Sequence, residues 1–291
     1  MKIPLTVIIL TYNEAKNLPT VLQSLNEFVD EIFIVDSYST DQTVEIAKSY
    51  GSNVVQHKFE THTKQWIFAL NNLTIANNWI LGLDADQQIT TELVKELMNL
   101  FQTGNPSHSG YYIKRRMYFL GKWIRHGGYY PRYLLKLFRK DSVYLDEGEL
   151  MDHHFYVNGS TAKLQYDLIE DNKNETLSFW LAKHIRYASL QAKEEIDKAR
   201  QLQTANADLF GNQDERRQWL KKLWERFPLF IRPLLYFFYR YFIQLGFLDG
   251  KQGLIFHFLQ ACWYRFIVDA MIYEQEKSKI KDKIKSAPKQ L

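Results

Sequence analysis

Short apolar runs alternate with segments of helical periodicity through the first hundred residues. The runs are rich in β-branched residues and have the length of buried strands. They comprise residues 5–10, 31–35, 53–56 and 78–83. The segments between and after them carry apolar residues three or four positions apart, which predicts helices over residues 15–28, 40–50, 63–76 and 90–101. Such alternation with short links predicts an α/β fold, with a mostly parallel sheet and helices on both faces.

The pattern changes after Gly104. Two aromatic-rich runs, residues 111–119 and 133–138, predict strands, and the segment between them is a long loop. Long loops in compact domains are more often functional than idle. A further strand is predicted over residues 162–168, and a long helix over residues 176–203.

The last quarter of the chain is strongly aromatic. Residues 227–247 and 254–273 each contain charged residues, among them Arg232 and Asp269. A charge at the centre of a membrane-spanning helix costs about 2.5 to 3.5 kcal/mol, which argues against a membrane span. The spacing predicts two amphipathic helices instead.

Two interpretations of these helices stay open. They form either a hairpin packed on the preceding domain or an anchor lying in the plane of a membrane surface. In the second case their arginines contact lipid phosphates. The density of aromatic residues favours the membrane. The lysine-rich tail, residues 274–289, adds attraction to an anionic surface.

Composition narrows the possible classes of protein. The 291 residues include 46% hydrophobic residues, enough for a sizeable core. A net charge of +4 gives no reason to expect a nucleic-acid partner. The single cysteine, Cys262, excludes a disulfide framework and a cysteine-based metal site within one chain. The lack of a disulfide framework predicts a reduced, cytoplasmic setting. We also expect no signal peptide, because the first apolar run is short.

A pair of carboxylates stands at the end of the fourth predicted strand, in the sequence Leu83-Asp84-Ala85-Asp86. Ligands of open α/β sheets bind at the carboxyl ends of the strands. Two hard oxygen ligands there suit a divalent cation, and the cation suits a phosphate. The pair therefore indicates a nucleotide-dependent enzyme.

Polar segments also follow the first two predicted strands. Thr11-Tyr12-Asn13-Glu14 follows the first strand, and a segment from Asp36 to Asp41 follows the second. Each alone is a weak signal, but their order and spacing before Asp84-x-Asp86 are specific. The chain has no glycine-rich phosphate loop, which argues against dinucleotide-binding and P-loop enzymes.

These motifs resemble those of the inverting glycosyltransferases of family 2, which have the GT-A fold. The resemblance covers residues 4–200 and rests on TYNE at 11–14, VDSYSTD at 35–41 and LDAD at 83–86, the last as a DXD motif. Residues 170–173 and 180–188 resemble a subgroup that builds bacterial surface polysaccharides. The turn at residues 246–250 is similar to the C-termini of lipopolysaccharide-core glucosyltransferases.

The resemblance implies two domains. Residues 1–222 would form the GT-A domain, with a nucleotide-binding half at 1–104 and an acceptor half at 105–222. Residues 223–291 would form the helical hairpin and basic tail.

The resemblance also implies roles for individual residues. In the nucleotide-sugar pocket, Asp36 would face the base, although Ser37 replaces the second acid of many members. Asp84 would contact the ribose and help hold the metal, and Asp86 would bind Mg²⁺ or Mn²⁺ at the diphosphate. The other residues lining the pocket would be Thr11, Tyr12 and Glu14.

Inversion requires a general base that deprotonates the acceptor hydroxyl. Glu147 fits this role best, and its neighbour Asp146 is the alternative. His153 and His154 are candidates for structural or acceptor contacts, with a metal role as the other interpretation. Lys136 is one of three basic residues that are candidates for holding a phosphate.

The predicted function is transfer of a sugar from a UDP-linked donor to a lipid-linked glycan, as a peripheral enzyme at the inner face of the cell membrane. Such an enzyme serves lipopolysaccharide or polysaccharide biosynthesis. The donor sugar, the acceptor linkage and the oligomeric state are left open. Two alternatives remain. One is a sugar nucleotidyltransferase, although such enzymes usually need a glycine in the loop at 11–17, where this chain has none. The other is a non-catalytic membrane-associated protein that retains the fold.

Overall fold

The chain divides by its internal contacts into two units, Met1–Thr176 and Leu177–Leu291. The computed structural model describes residues 2–25, 27–102, 104, 106–147, 153–174, 176–201 and 227–286. The sequence predicted the boundary at residue 222, which assigned the long helix after residue 176 to the first domain. The structure groups that helix with the C-terminal helices, because its small side chains pack against the last of them.

Eleven strands and four helices are described in the first unit. The strands are β1 (Ile3–Thr11), β2 (Val29–Asp36), β3 (Asn53–Gln56), β4 (Trp79–Asp84), β5 (Gln87–Ile89), β6 (Gly110–Phe119), β7 (Lys122–Trp123), β8 (Arg132–Arg139), β9 (Val143–Tyr144), β10 (Tyr156–Val157) and β11 (Thr161–Glu170). The helices are α1 (Leu18–Leu25), α2 (Thr43–Ser49), α3 (His62–Asn72) and α4 (Thr91–Gln102).

One large sheet organises this unit, with the strand order β3-β2-β1-β4-β8-β6-β11-β5. Strands β3, β2, β1 and β4 are parallel, so their carboxyl ends meet at one edge. Strand β8 is antiparallel to both β4 and β6, and β11 is parallel to β6. The predicted α/β fold class is confirmed, and the sheet is mixed beyond β4.

Each face of the sheet packs into its own cluster, as the alternation of side chains along a strand requires. Val7 and Ile9 of β1 lie in one cluster, which also contains the apolar residues of α1 and α4. Ile8, between them, lies in the other cluster with Trp66 of α3. The apolar runs of the sequence are therefore strands covered on both faces.

Gly82, inside β4, leaves room for an aromatic ring. A Cβ atom at this position would lie 2.9 Å from the ring of Phe155 and 3.1 Å from that of Trp66. Phe155 packs edge-on against Trp66, with ring centroids 4.8 Å apart. The missing side chain thus lets the segment before β10 lie directly against β4, close to where β4 ends in Asp84.

The described part of the second unit is helical. It contains α5 (Leu177–Gln201), α6 (Arg232–Phe238), α7 (Gly250–His257) and α8 (Tyr264–Ser286), with π-helical turns at Tyr239–Ile243 and Phe258–Trp263 and a 3₁₀ turn at Gly246–Asp249. Ala188 and Ala192 of α5 pack with Val268 and Ile272 of α8. The two predicted aromatic helices are therefore each interrupted by π-helical turns.

His184 of α5 is part of this helical packing. Its ring stacks on Trp180, and its Nε2 lies 3.1 Å from Nε2 of Gln260. Burial lowers the pKa of His184 to about 4, although its hydrogen bond to the Trp180 carbonyl acts in the opposite direction. These contacts lie within the second unit.

A buried ion-pair network joins the helices of the second unit. Arg232 donates through Nε to Oδ1 of Asp269 at 2.7 Å, and both residues are buried. Glu195 of α5 accepts hydrogen bonds from Arg232 at 3.3 Å and from Arg265 at 3.0 Å. Arg232 and Arg265 are thus engaged inside the protein, which corrects the expectation that these arginines contact lipid phosphates.

Many large apolar side chains of the second unit are nonetheless exposed. Leu234, Phe238, Ile243 and Leu248 are each more than half exposed. Within the described residues, no helix has the length and apolar character needed to cross a bilayer.

Candidate active site

The ends of β1 and β2 are joined through a buried carboxylate. Thr11 and Asp36 are paired in the sheet register, and Oγ1 of Thr11 donates to Oδ1 of Asp36 at 3.0 Å. Asp36 is fully buried and also accepts hydrogen bonds from the Ser39 backbone at 2.9 Å and from Gln56 at 3.1 Å. Its two oxygens therefore hold β1, the loop after β2, and β3 together. Its predicted contact with a base remains a prediction.

The loops after β1 and β2 form one connected surface. Asn13 adopts a left-handed backbone conformation with φ of 55°, and its backbone N–H donates to Oγ of Ser39 at 2.9 Å. The Glu14 backbone donates to Oγ1 of Thr43 at 2.8 Å. Tyr12 is 59% exposed, so its side chain is open to solvent. An exposed tyrosine on a braced loop has the placement expected of a ligand-contacting residue.

Asp41 strengthens the connection between the two loops. Burial acts to raise its pKa, but the hydrogen bonds that it accepts from Thr43 and from the Ala15 backbone lower the pKa below its ordinary value. Asp41 therefore stays ionised where it braces the start of α2.

Asp84 ends β4 beside the loop after β1, since Leu10 of β1 is its partner in the sheet. Nζ of Lys136, on the antiparallel neighbour β8, lies 3.0 Å from Oδ2 of Asp84. Lys136 is buried, whereas the Asp84 side chain is 36% exposed. Lys136 was one of several candidate phosphate-binding residues, and the structure places it on this carboxylate.

The pKa of Asp84 reflects a balance of opposing effects. Burial is the largest single effect and acts to raise it, but the charge and hydrogen bond of Lys136, together with the charges of His153 and His62, lower it by more in sum. The net effect holds the pKa well below its ordinary value, so Asp84 is a carboxylate at any physiological pH. The rings of His62 and His153 stack at 5.9 Å near this carboxylate. Nothing in the sequence indicated that His62, at the start of α3, would be here.

Asp84 and Asp86 fit a divalent cation by their chemistry. Both are hard oxygen donors in one short turn, and Mg²⁺ or Mn²⁺ is commonly held by one or two carboxylates plus substrate phosphates. No group of three or more histidine, cysteine or acidic residues arranged for a metal ion occurs among the described residues. The donor set thus suits a cation that the nucleotide would help to hold.

The acidic turn also touches a segment to which the sequence assigned no role. The backbone N–H of Asp171, just after β11, donates to the carbonyl of Asp86 at 3.1 Å. The side chain of Gln87 donates to Glu170 at 2.8 Å. The only sequence signal was the subgroup resemblance of residues 170–173, because contacts between segments so distant in the chain depend on strand pairing.

Asp146 and Glu147 follow β9 at the end of a described stretch. The pKa of Lys64 is raised mainly by its ion pair with Glu60 and, in smaller part, by the charge of Glu147. Glu147 is thereby placed near the first turn of α3, where His62 also lies. The neighbouring Gly148 and Asp152 lie outside the described residues. The role of either acid as the general base remains a prediction.

Comparisons with known proteins identify the family. Residues 6–165 match the sequence model described as "Glycosyl transferase family 2". An "Uncharacterized glycosyltransferase" of Rickettsia felis is 36% identical over 111 residues, which span 38% of this chain and 38% of that protein. This chain therefore matches well under half the length of that relative.

Two other similar proteins match over almost the whole chain. The "Lipopolysaccharide core biosynthesis glycosyltransferase LpsC" of Rhizobium meliloti is 23% identical over 98% of both chains. The crystal structure of S. aureus TarS 1-349 in complex with UDP is 17% identical, covers 95% of this chain and 92% of that one, and has a TM-score of 0.42. Because the family model matches more than half of the sequence, the chain belongs to glycosyl transferase family 2.

Proposed function

We propose that the protein is an inverting glycosyltransferase that uses a UDP-linked sugar donor. One observation carries this proposal: three segments with predicted donor-binding roles converge at the carboxyl edge of the parallel strands. Tyr12 and Glu14 follow β1, Asp36 ends β2 on one side of β1, and Asp84 ends β4 on the other side. This edge is where open α/β sheets bind their ligands.

The donor would lie across these loops. Tyr12, being exposed, is available to contact the base or ribose, whereas Thr11 and Asp36 fix the loop that carries it. Asp84 and Asp86 would hold Mg²⁺ or Mn²⁺. When bound, the cation neutralises the charge that develops on the departing diphosphate.

The acceptor side requires a base. Glu147, or Asp146, would accept the proton of the acceptor hydroxyl as its oxygen attacks the anomeric carbon. A new carbon–oxygen bond forms on the opposite side of the sugar from the leaving group. The bond from the anomeric carbon to the diphosphate oxygen breaks, and UDP leaves with the electron pair. Attack from that side inverts the anomeric configuration.

The acceptor that we propose is a lipid-linked glycan of the kind used in lipopolysaccharide or polysaccharide synthesis, met at the inner membrane surface. Two observations support it: the similarity to LpsC over 98% of the chain, and the exposed apolar side chains of the second unit. An enzyme whose acceptor lies in a bilayer gains from binding the bilayer surface.

The test is release of UDP by the full-length protein from UDP-glucose, UDP-galactose and UDP-N-acetylglucosamine, with Mn²⁺ or Mg²⁺ present. We expect turnover with at least one donor, loss of turnover with EDTA, and a fall of about a hundredfold for Asp86→Asn. Asp141→Asn, at an exposed aspartate after β8, is the matched control. If UDP neither binds nor is released, or if Asp86→Asn behaves like wild type, the proposal is wrong.

A further inference from the structure

Residues 170–174, which we call the strap, begin at the last residue of β11 and contact two loops far away in the chain. At one end, Oε2 of Glu170 accepts a hydrogen bond from Gln87 at 2.8 Å, and Arg115 donates to both Glu170 oxygens at 3.0 and 2.9 Å. Oε1 of Gln87 accepts from the Asp84 backbone at 3.2 Å. With the bond from Asp171 to Asp86, this end of the strap holds the acidic turn.

The other end of the strap holds the loop after β1, through Asn17. Nδ2 of Asn17 donates to Asn172 at 3.0 Å and to Glu14 at 2.7 Å. Its Oδ1 accepts from the Lys173 backbone at 2.7 Å. Asn17 is only 2% exposed. A buried amide whose donors and acceptor are all engaged specifies one geometry, because any shift leaves a polar group unsatisfied.

Asn174 adds a second tie to the same loop. Its Nδ2 donates to the carbonyl of Asn13 at 3.1 Å and to Glu14 at 3.3 Å. Glu14 therefore receives hydrogen bonds from Asn17 and from Asn174, both neutral amides. Of these two donors only Asn174 belongs to the strap, so the strap also contacts the side chain of Glu14 directly.

We propose that the strap sets the distance between the loop after β1 and the acidic turn at residues 84–87, with Asn17 as the positioning residue. This inference rests on the proposed function, in which the loop would hold the nucleoside and the turn would hold the cation at the diphosphate. One ligand would span both, and a separation that is already set before binding spares the cost of ordering the two loops around that ligand. A displacement of about 1 Å in such sites costs on the order of a hundredfold in rate.

Asn17→Ala is the test, with Asn77→Ala as the matched control. Asn77 is half-buried rather than buried, and it too bridges two segments, donating to Thr6 at 3.2 Å, but it lies before β4, at the opposite edge of the sheet. We expect both variants to lower the unfolding temperature, and Asn17→Ala to lower it more, because it leaves more buried polar groups unsatisfied. Only Asn17→Ala should weaken the affinity for UDP with Mn²⁺, by about tenfold, and lower kcat further. Asn17→Asp places a negative charge beside Glu14, and its affinity for UDP should be at least as low as that of Asn17→Ala.

Hydrogen exchange on the nucleotide-free protein gives a readout that does not depend on catalysis. In Asn17→Ala, the peptides that cover residues 11–17 and 84–87 should both exchange faster than in wild type and in Asn77→Ala. Unchanged exchange at 84–87 overturns the strap, whether or not UDP binds. Where wild type binds UDP, an affinity of Asn17→Ala for UDP within twofold of the wild-type value also overturns the proposal. If wild type fails to bind UDP while exchange follows the expected pattern, the strap holds and the proposed function falls.

Discussion

At the scale of single residues, the pairing of Asp84 with Lys136 explains how a carboxylate stays ionised in a partly buried turn. Lys136 is buried, so its ammonium group needs a partner, and Asp84 supplies it at 3.0 Å. The same contact puts a cation on the carboxylate that we expect to bind a metal. If Asp84 binds the metal that we propose, Lys136 would compete with that metal for the carboxylate.

Lys136→Met tests the pairing of Lys136 with Asp84 through acid stability. The pKa of Asp84 is lowered in the folded protein, so its contribution to stability is present above the ordinary carboxylate pKa of about 4 and is lost as the pH falls below it. We expect wild type to unfold at a higher temperature than the variant at pH 7. This difference in unfolding temperature should narrow below about pH 4. Thermal unfolding from pH 7 to 2.5 measures it.

Lys140→Met, at an exposed lysine at the end of β8, is the control and should show no such narrowing. A gap between wild type and Lys136→Met that stays constant across this pH range would mean that the Asp84 charge does not depend on Lys136.

At the scale of elements, the contact of β4 with Phe155 depends on the absence of a side chain at position 82. Gly82→Ala would bring a Cβ within 2.9 Å of the Phe155 ring. Overpacking of this kind costs about 1 to 3 kcal/mol. We expect Gly82→Ala to be destabilised by that amount and Gly82→Ala with Phe155→Leu to recover part of it, as measured by urea unfolding.

Phe155→Leu alone gives the fourth corner of the double-mutant cycle. Additive effects of the two substitutions would show that the two side chains do not compete for the same space.

The strands of the parallel half were predictable because burial on both faces makes each a continuous apolar run, as at residues 5–10 and 31–35. The short strand β5 could not be predicted, because its three residues carry no periodic signal and form a strand only by pairing with β11. At the site, the motif spacing predicted that Asp84 ends a strand. The burial of Asp36 and the role of Asn17 depend on partners up to 156 positions away, which no local pattern encodes.

At the scale of the whole molecule, the apolar surface of the second unit is the feature that solution behaviour should reveal. Phe247 and Leu248 are 43% and 53% exposed on the 3₁₀ turn. We expect the full-length protein to sediment with vesicles that contain anionic phosphatidylglycerol, and Phe247→Glu with Leu248→Glu to reduce the bound fraction severalfold.

Leu120→Glu replaces a leucine of the first unit that is 47% exposed and is the matched control. Equal loss of vesicle binding in the control would point to a general effect of added negative charge. No binding by wild type would favour the other interpretation, a packed helical hairpin.

The pairing of β5 with β11 also bears on how the protein is made. The acidic turn at residues 84–87 gains its hydrogen-bonded neighbour only when residues 161–171 have left the ribosome. A nascent chain that ends before β11 has both aspartates but lacks the contacts of Glu170 and Asp171 with their turn. In the function that we propose, the competence to bind a donor would therefore arise late in translation.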